Sequence, residues 1–140
     1  MGWLIGGIQE HTAVGDRFFF YPNMSLVPYL TARRHIAQLD MIIPGFTTPA
    51  QYRDVCARVV ADAQYVVIDL PWTDPANILR VHPATIDTNP PEKRAFEAAL
   101  AEGFELIAHS PRFQVRRRTT RAHASLCGRI DVAYETQTHK

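Results

Sequence analysis

The sequence predicts a single α/β domain, a Rossmann-like three-layer sandwich built on a mostly parallel sheet. Three observations carry this. Short apolar runs of strand length recur along the chain, RFFFY at 17–21 and QYVVIDL at 64–70 above all. Such continuous runs suit strands covered on both faces. Stretches with helical apolar spacing separate them, and strands alternating with helices imply right-handed crossovers between parallel strands. Finally, 140 residues with 46% hydrophobic and 21% charged side chains fit one globular domain. A chain of this size buries roughly two-thirds of its unfolded surface, enough for a core without staples.

In chain order, residues 3–11 read as a short amphipathic helix with Trp3, Leu4 and Ile8 on one side, followed by a turn at Gly15-Asp16. The first strand, Arg17 to Tyr21, stops at Pro22-Asn23. Ser25 is placed to cap a helix over about 26–34, with Pro28 in its first turn, where proline is tolerated. Arg33-Arg34 would then lie at its carboxyl end, favourable for the helix dipole. Leu39 to Ile43 reads as a second strand, closed by Pro44-Gly45. Thr47 or Thr48 caps the next helix, which opens at Pro49 and runs to about residue 63. Tyr52, Val55, Cys56, Val59 and Val60 fall on one of its faces.

Gln64 to Leu70 is the clearest buried strand, ended by Pro71-Trp72. Asp74-Pro75 starts a short helix or turn over 75–81, and residues 82–91, with Pro83, Pro90 and Pro91, read as loop. A helix follows over 91–102, with Phe96, Ala99 and Leu100 inward and Gly103 at C′. Phe104 to His109 and Arg112 to Arg118 form a hairpin about Ser110-Pro111. Residues 119–128 look polar and irregular, 129–135 read as a weak extra strand, and 136–140 as disordered. The domain is therefore set at 1–118, with 119–140 a partly irregular extension. The expected strand order is 2-1-3-4-5, with an antiparallel edge strand from the final hairpin.

The chemistry-bearing signals are sparse. The formal net charge of +1 argues against a dedicated nucleic-acid partner. No GxGxxG, GxxxxGK[ST], HExxH, GxSxG or DxDxDG motif occurs. Cys56 and Cys127 are far apart and outside any CxxC pattern, so zinc and redox pairs are not expected and a disulfide is disfavoured. Cys56 reads as a small buried hydrophobe. The histidines at 11, 35, 82, 109, 123 and 139 lack i, i+4 ligand spacing, and no metal or other cofactor is expected. Arg112, Arg116, Arg117, Arg118 and Arg121 admit a phosphate-binding reading, but charge protecting an edge strand is favoured. No stretch approaches the about 20 apolar residues of a membrane span, and the amino-terminal MGWLIGGIQEH lacks the basic region of a signal peptide.

In parallel sheets ligands bind beyond the carboxyl ends of strands where the order reverses. Between strands 1 and 3 that crevice would hold Tyr21, Asn23 and Ser25, with Asp69 and Trp72 opposite. The same residue types also cap helices and turns, which competes with a binding role.

Four segments add a resemblance. Gly15 to Pro22, Val27 to Arg34, Pro44-Gly45 with Thr47 to Gln51, and Tyr65 to Asp69 look like the "gd.vfvyP", "lYyLtgR", "Pg..t..q" and "yvv.d" elements of one family. Phe96 to Leu106 and the basic strand Arg112 to Arg118 fit its ending. Over about residues 12–118 the chain resembles the C-terminal extracytoplasmic domain of bacterial multi-spanning membrane proteins related to lipid-linked-sugar glycosyltransferases. Val27-Pro28-Tyr29 departs from the unbroken apolar residues more usual there. The resemblance implies a periplasmic domain whose partner is the membrane-embedded portion of its parent chain. In such proteins the catalytic acid and lipid-phosphate site lie in the membrane part, so no catalytic residue carries over. The implied role is accessory, with Tyr21, Asn23, Tyr29, Arg33 and Trp72 suited to acceptor saccharide. The alternatives are a stand-alone small-ligand or nucleotide-binding module, cytoplasmic in that case, and, less favoured, a small hydrolase or transferase.

Overall fold

The computed structural model describes residues 2–22, 31, 33–36 and 42–130, with the backbone alone described at 34 and 35. Helix α1 spans Gly2–His11, β1 Arg17–Tyr21, β2 Arg34–His35 and α2 Pro49–Asp62. Strand β3 (Tyr65–Asp69) runs into a 3₁₀ turn (Leu70–Trp72), then α3 (Pro75–Val81) and α4 (Pro91–Gly103). Strands β4 (Phe104–His109) and β5 (Phe113–Arg118) form the hairpin, and a second 3₁₀ turn covers Ala124–Cys127. Among the described residues no helix is long and apolar enough to cross a membrane.

Local signals account for most of these boundaries. Thr48 caps α2 in a reciprocal box: its hydroxyl accepts from Gln51 N at 3.2 Å while Gln51 Oε1 accepts from Thr48 N at 2.8 Å. Tyr52, Val55, Cys56, Val59 and Val60 are all buried, so the helical face read from the sequence is the face that packs. Asp74 caps α3 through Ala76 N. In α1, Leu4 and Ile8 are buried, but Trp3 turns outward and is 47% exposed.

The expected sheet is corrected. Four strands of five or six residues run in the order β1-β3-β5-β4, and the two-residue β2 pairs alongside β1 at the outer edge. Of the pairs between full strands, only β1 with β3 is parallel; β3 with β5 and β5 with β4 are antiparallel. The sheet is therefore mixed, not a mostly parallel Rossmann-like one in the order 2-1-3-4-5. The reason is the return of the hairpin. The chain enters β4 at the edge and folds inward, so that Phe113 and Val115 of β5 join Phe18, Phe20 and Val67 against α1.

The second strand also differs. It is Arg34–His35, whereas Ile42 and Ile43 are buried in irregular backbone; residues 39–41 and most of the expected helix at 26–34 lie outside the described residues. Gly103 ends α4 rather than sitting at C′, with Phe104 as the C-cap. Its requirement is space: a Cβ there would stand 3.0 Å from Leu126 Cδ1 and 3.2 Å from Ala122 Cα. Residues 128–130 are helical, not strand, and the remainder of the expected 129–135 strand lies outside the described residues.

The sheet alternates its side chains between two cores. Phe19, Tyr21 and Val66 face α2 and α4, where Phe96 packs edge-on to Phe19 at 5.8 Å between centroids. Cys56 and Cys127 are joined in a disulfide, with Cα atoms 5.9 Å apart, against the sequence expectation. Spacing gave no sign of it because 71 positions separate the two. The bridge brings the 119–130 segment onto α2 and α4, where Ala122, Cys127 and Ile130 are buried.

Two stability measurements follow. Cys56→Ala/Cys127→Ala is expected to lose about 2–4 kcal/mol in urea unfolding, the usual value of such a cross-link. Gly103→Ala gains helix propensity but forces a methyl against the Ala122 backbone. It is expected to lower stability by about 1–2 kcal/mol, since overpacking outweighs the gain; a raised urea midpoint would contradict the close packing.

Candidate functional site

The carboxyl ends of β1 and β3 are adjacent, with Tyr21 paired in register with Ile68. The crevice residues Tyr21 and Asp69 therefore do share one end of the sheet. Both are committed to protein partners. The buried Asp69 carboxylate takes a forked contact from Arg112, whose Nε and Nη2 stand 3.3 and 3.2 Å from its two oxygens. Tyr21 OH donates to Glu97 Oε2 at 2.8 Å.

Trp72 lies half-buried in the first 3₁₀ turn. Arg33 sits just before β2, whose first residue pairs with the first residue of β1, so it belongs to the amino end of the sheet. Its guanidinium donates to Thr12 Oγ1, Thr12 O and Thr31 O. Asn23, Ser25 and Tyr29 lie outside the described residues.

Sequence reasoning missed the polar network under α4. Lys93 is 1% exposed. Its ammonium donates to Thr73 O at 2.8 Å, Asn89 Oδ1 at 3.1 Å and Glu97 Oε1 at 3.2 Å. Three donors meet three acceptors, so the buried charge is satisfied. Glu97 then links Lys93 to Tyr21. The Lys93–Glu97 spacing of four was the available signal, since such pairs are neighbours on a helix. Two buried atoms beside this network, Tyr52 OH and Glu92 Oε2, have no hydrogen-bond partner.

The basic run on β5 is also reassigned. Edge protection does not apply, because β5 is flanked by β3 and β4. Arg118 donates to Val60 O, Ala63 O and Ala122 O. The first two carbonyls are at the end of α2, which has no basic residue in its own last turn. Arg116 donates to Phe104 O, and Arg117 pairs with Glu105 on β4.

The opposite face of the sheet is thinly covered. Only the ten residues of α1 lie on it among the described elements. A cleft of about 490 Å³ opens between α1 and β3-β5-β4, lined by Trp3, Gly7, Tyr65, Ile107, Val115 and Arg117 among others. At its rim Trp3 (47%) and Ile107 (36%) are exposed, and the ladder is interrupted between Leu106 and Ala108.

The tyrosines give the site a pH signature. Burial first, then the Glu97 carboxylate, hold both Tyr21 and Tyr52 protonated well above the ordinary tyrosine range. In the unfolded chain both ionise near pH ~10. Above that pH the unfolded state has shed protons that the folded state keeps. Stability should fall with rising pH by about 1.4 kcal/mol per pH unit for each tyrosine, with no contribution to the slope below it. Urea unfolding between about pH 9 and 11 checks this. Tyr52→Phe should halve the slope at little cost near neutrality, because its hydroxyl has no partner to lose.

Comparison with protein-family models, with curated proteins and with solved structures gives no match for this chain.

Proposed function

We propose that this chain is a non-catalytic, extracytoplasmic accessory domain of a glycosyltransferase-like membrane protein. It packs against the membrane-embedded portion of the parent chain and contacts the acceptor saccharide. The observation that carries the reading is the one-sided cover of the sheet among the described elements. Among the described residues a cleft under one short helix, with Trp3 and Ile107 exposed at it, offers an apolar face to a second body.

The Cys56–Cys127 disulfide supports the location, since such bridges persist in oxidising compartments. The competing reading, a stand-alone small-ligand or nucleotide-binding module, has less support. The polar groups described at the carboxyl ends of β1 and β3 are engaged with Glu97 and Arg112.

The test is made in cells expressing the native gene. Spheroplasts are treated with external protease, and thiols are trapped by alkylation before lysis. The reading expects cleavage of the chain from outside, recovery with membranes, and no alkylation of Cys56 or Cys127. A protected chain in the soluble fraction with both cysteines alkylated would sink it.

A further inference from the structure

The third surface feature lies away from both the crevice and the α1 cleft. A cavity of about 650 Å³ opens between the turn at 44–47 and the loop at 81–90, with Glu92 of α4 in its wall. We propose that this cavity is a saccharide-binding site that takes a neutral pyranose ring. The proposal rests on the accessory reading only for where such a ligand comes from; binding by this chain alone tests it separately.

The lining has the two parts that sugar recognition requires, an aromatic platform and acceptors for hydroxyl protons. Phe46 is 58% exposed at the cavity mouth. Its ring stands against His82, with centroids 5.1 Å apart and planes at 67°, which fixes the platform from one side. The turn beneath it is tied by three hydrogen bonds. Phe46 N and Thr47 N both donate to Ile43 O, and Thr47 Oγ1 accepts from Ile43 N. Gly45 adopts φ 89°, and a Cβ there would meet Thr85 of the facing loop at 3.3 Å. The turn and the loop therefore approach closely at a position that only glycine occupies without strain.

Glu92 forms part of the cavity wall. It is 5% exposed, and its Oε2 has no hydrogen-bond partner. That oxygen is closed to solvent, so the carboxylate that a ligand hydroxyl can meet is the exposed Asp87. Asp87 lines the same cavity; one of its oxygens accepts from Asn89 N. Among the described lining residues there is no lysine or arginine, so the chemistry does not favour phosphate or a nucleotide. Val81 and Ile86 add apolar wall, which suits the C–H faces of a pyranose ring better than a fully hydrated ion.

The experiment is a titration of the isotope-labelled 140-residue chain with methyl glucopyranoside, methyl mannopyranoside and methyl galactopyranoside, followed by amide chemical shifts. Inorganic phosphate and tetramethylammonium are the control probes. At least one pyranoside should give saturable shifts at 45–47 and 82–87. Phe46→Ala, at an exposed position, should weaken that binding by about tenfold. Asp87→Asn should weaken it as well, with the fold checked by the unchanged dispersion of remote amides. The proposal is overturned by flat titrations with all three pyranosides, by equal binding in Phe46→Ala, or by shifts confined to Tyr21 and Trp72. Tighter binding of phosphate or tetramethylammonium at the cavity overturns it too. A flat titration leaves the membrane-accessory reading standing, because protease access and cysteine state report on that reading alone.

Discussion

Arg118 reaches from β5 to the carbonyls of Val60 and Ala63, and the placement of the whole hairpin depends on that reach. A helix leaves its last carbonyls unpaired, and α2 has no basic side chain of its own in that turn. Arg17 of β1 meets the same need at Asp62 O. Two strands thus satisfy one helix end, and they do so only because β5 lies next to β3. With β4 in that position, the guanidinium fork of Arg118 would sit one strand further away. The inward return of the hairpin follows from this, as does the packing of Phe113 and Val115 against α1.

The helices on the other face are joined by a different device. Phe96 of α4 contacts Phe19, Tyr21 and Tyr52, bringing β1, α2 and α4 to one point. Polar groups then line the sheet's carboxyl end immediately beside this apolar junction. Lys93 and Glu97 are tolerable there because each is satisfied within the network, and Tyr21 closes it. The network consumes the groups that a sheet of this kind would otherwise present to a ligand. This moves the open, chemically available surface outward, to the turn carrying Phe46 and the loop that faces it.

Much of the scaffold was legible in the sequence where its cause was local. Thr48 with Gln51, Asp74 before Pro75, and the spacing from Tyr52 to Val60 all act within one or two turns, so their meaning survives in a linear reading. RFFFY and QYVVIDL were legible because strands buried on both faces have no polar side to show. The failures were non-local. FELIAH is more apolar than RFQVRRR and reads as the inner strand, yet the arginines pair with carbonyls and carboxylates that no window of sequence contains. Arg34–His35 is too short and too polar to register as a strand. Of the crevice, Tyr21 and Asp69 lie at one end of the sheet, but their partners Glu97 and Arg112 are 76 and 43 positions away. Phe46 was passed over because a turn aromatic becomes a platform only once His82 stands beside it.

The two faces of the sheet now differ in a way that bears on role. One is closed by two long helices, an aromatic junction and a disulfide. The other carries, among the described elements, one short helix over a cleft, beside an edge strand whose Ile107 is exposed. A freely diffusing domain gains nothing by leaving apolar side chains on an interrupted edge strand, since unprotected edges invite association. A domain seated on a larger body meets no such penalty, because the body supplies the missing layer. The Phe46 cavity lies apart from that cleft, with no lining residue in common, so seating on one and binding at the other do not compete for the same side chains. That separation is what an accessory domain requires if it is to hold its parent with one surface and meet a saccharide with another.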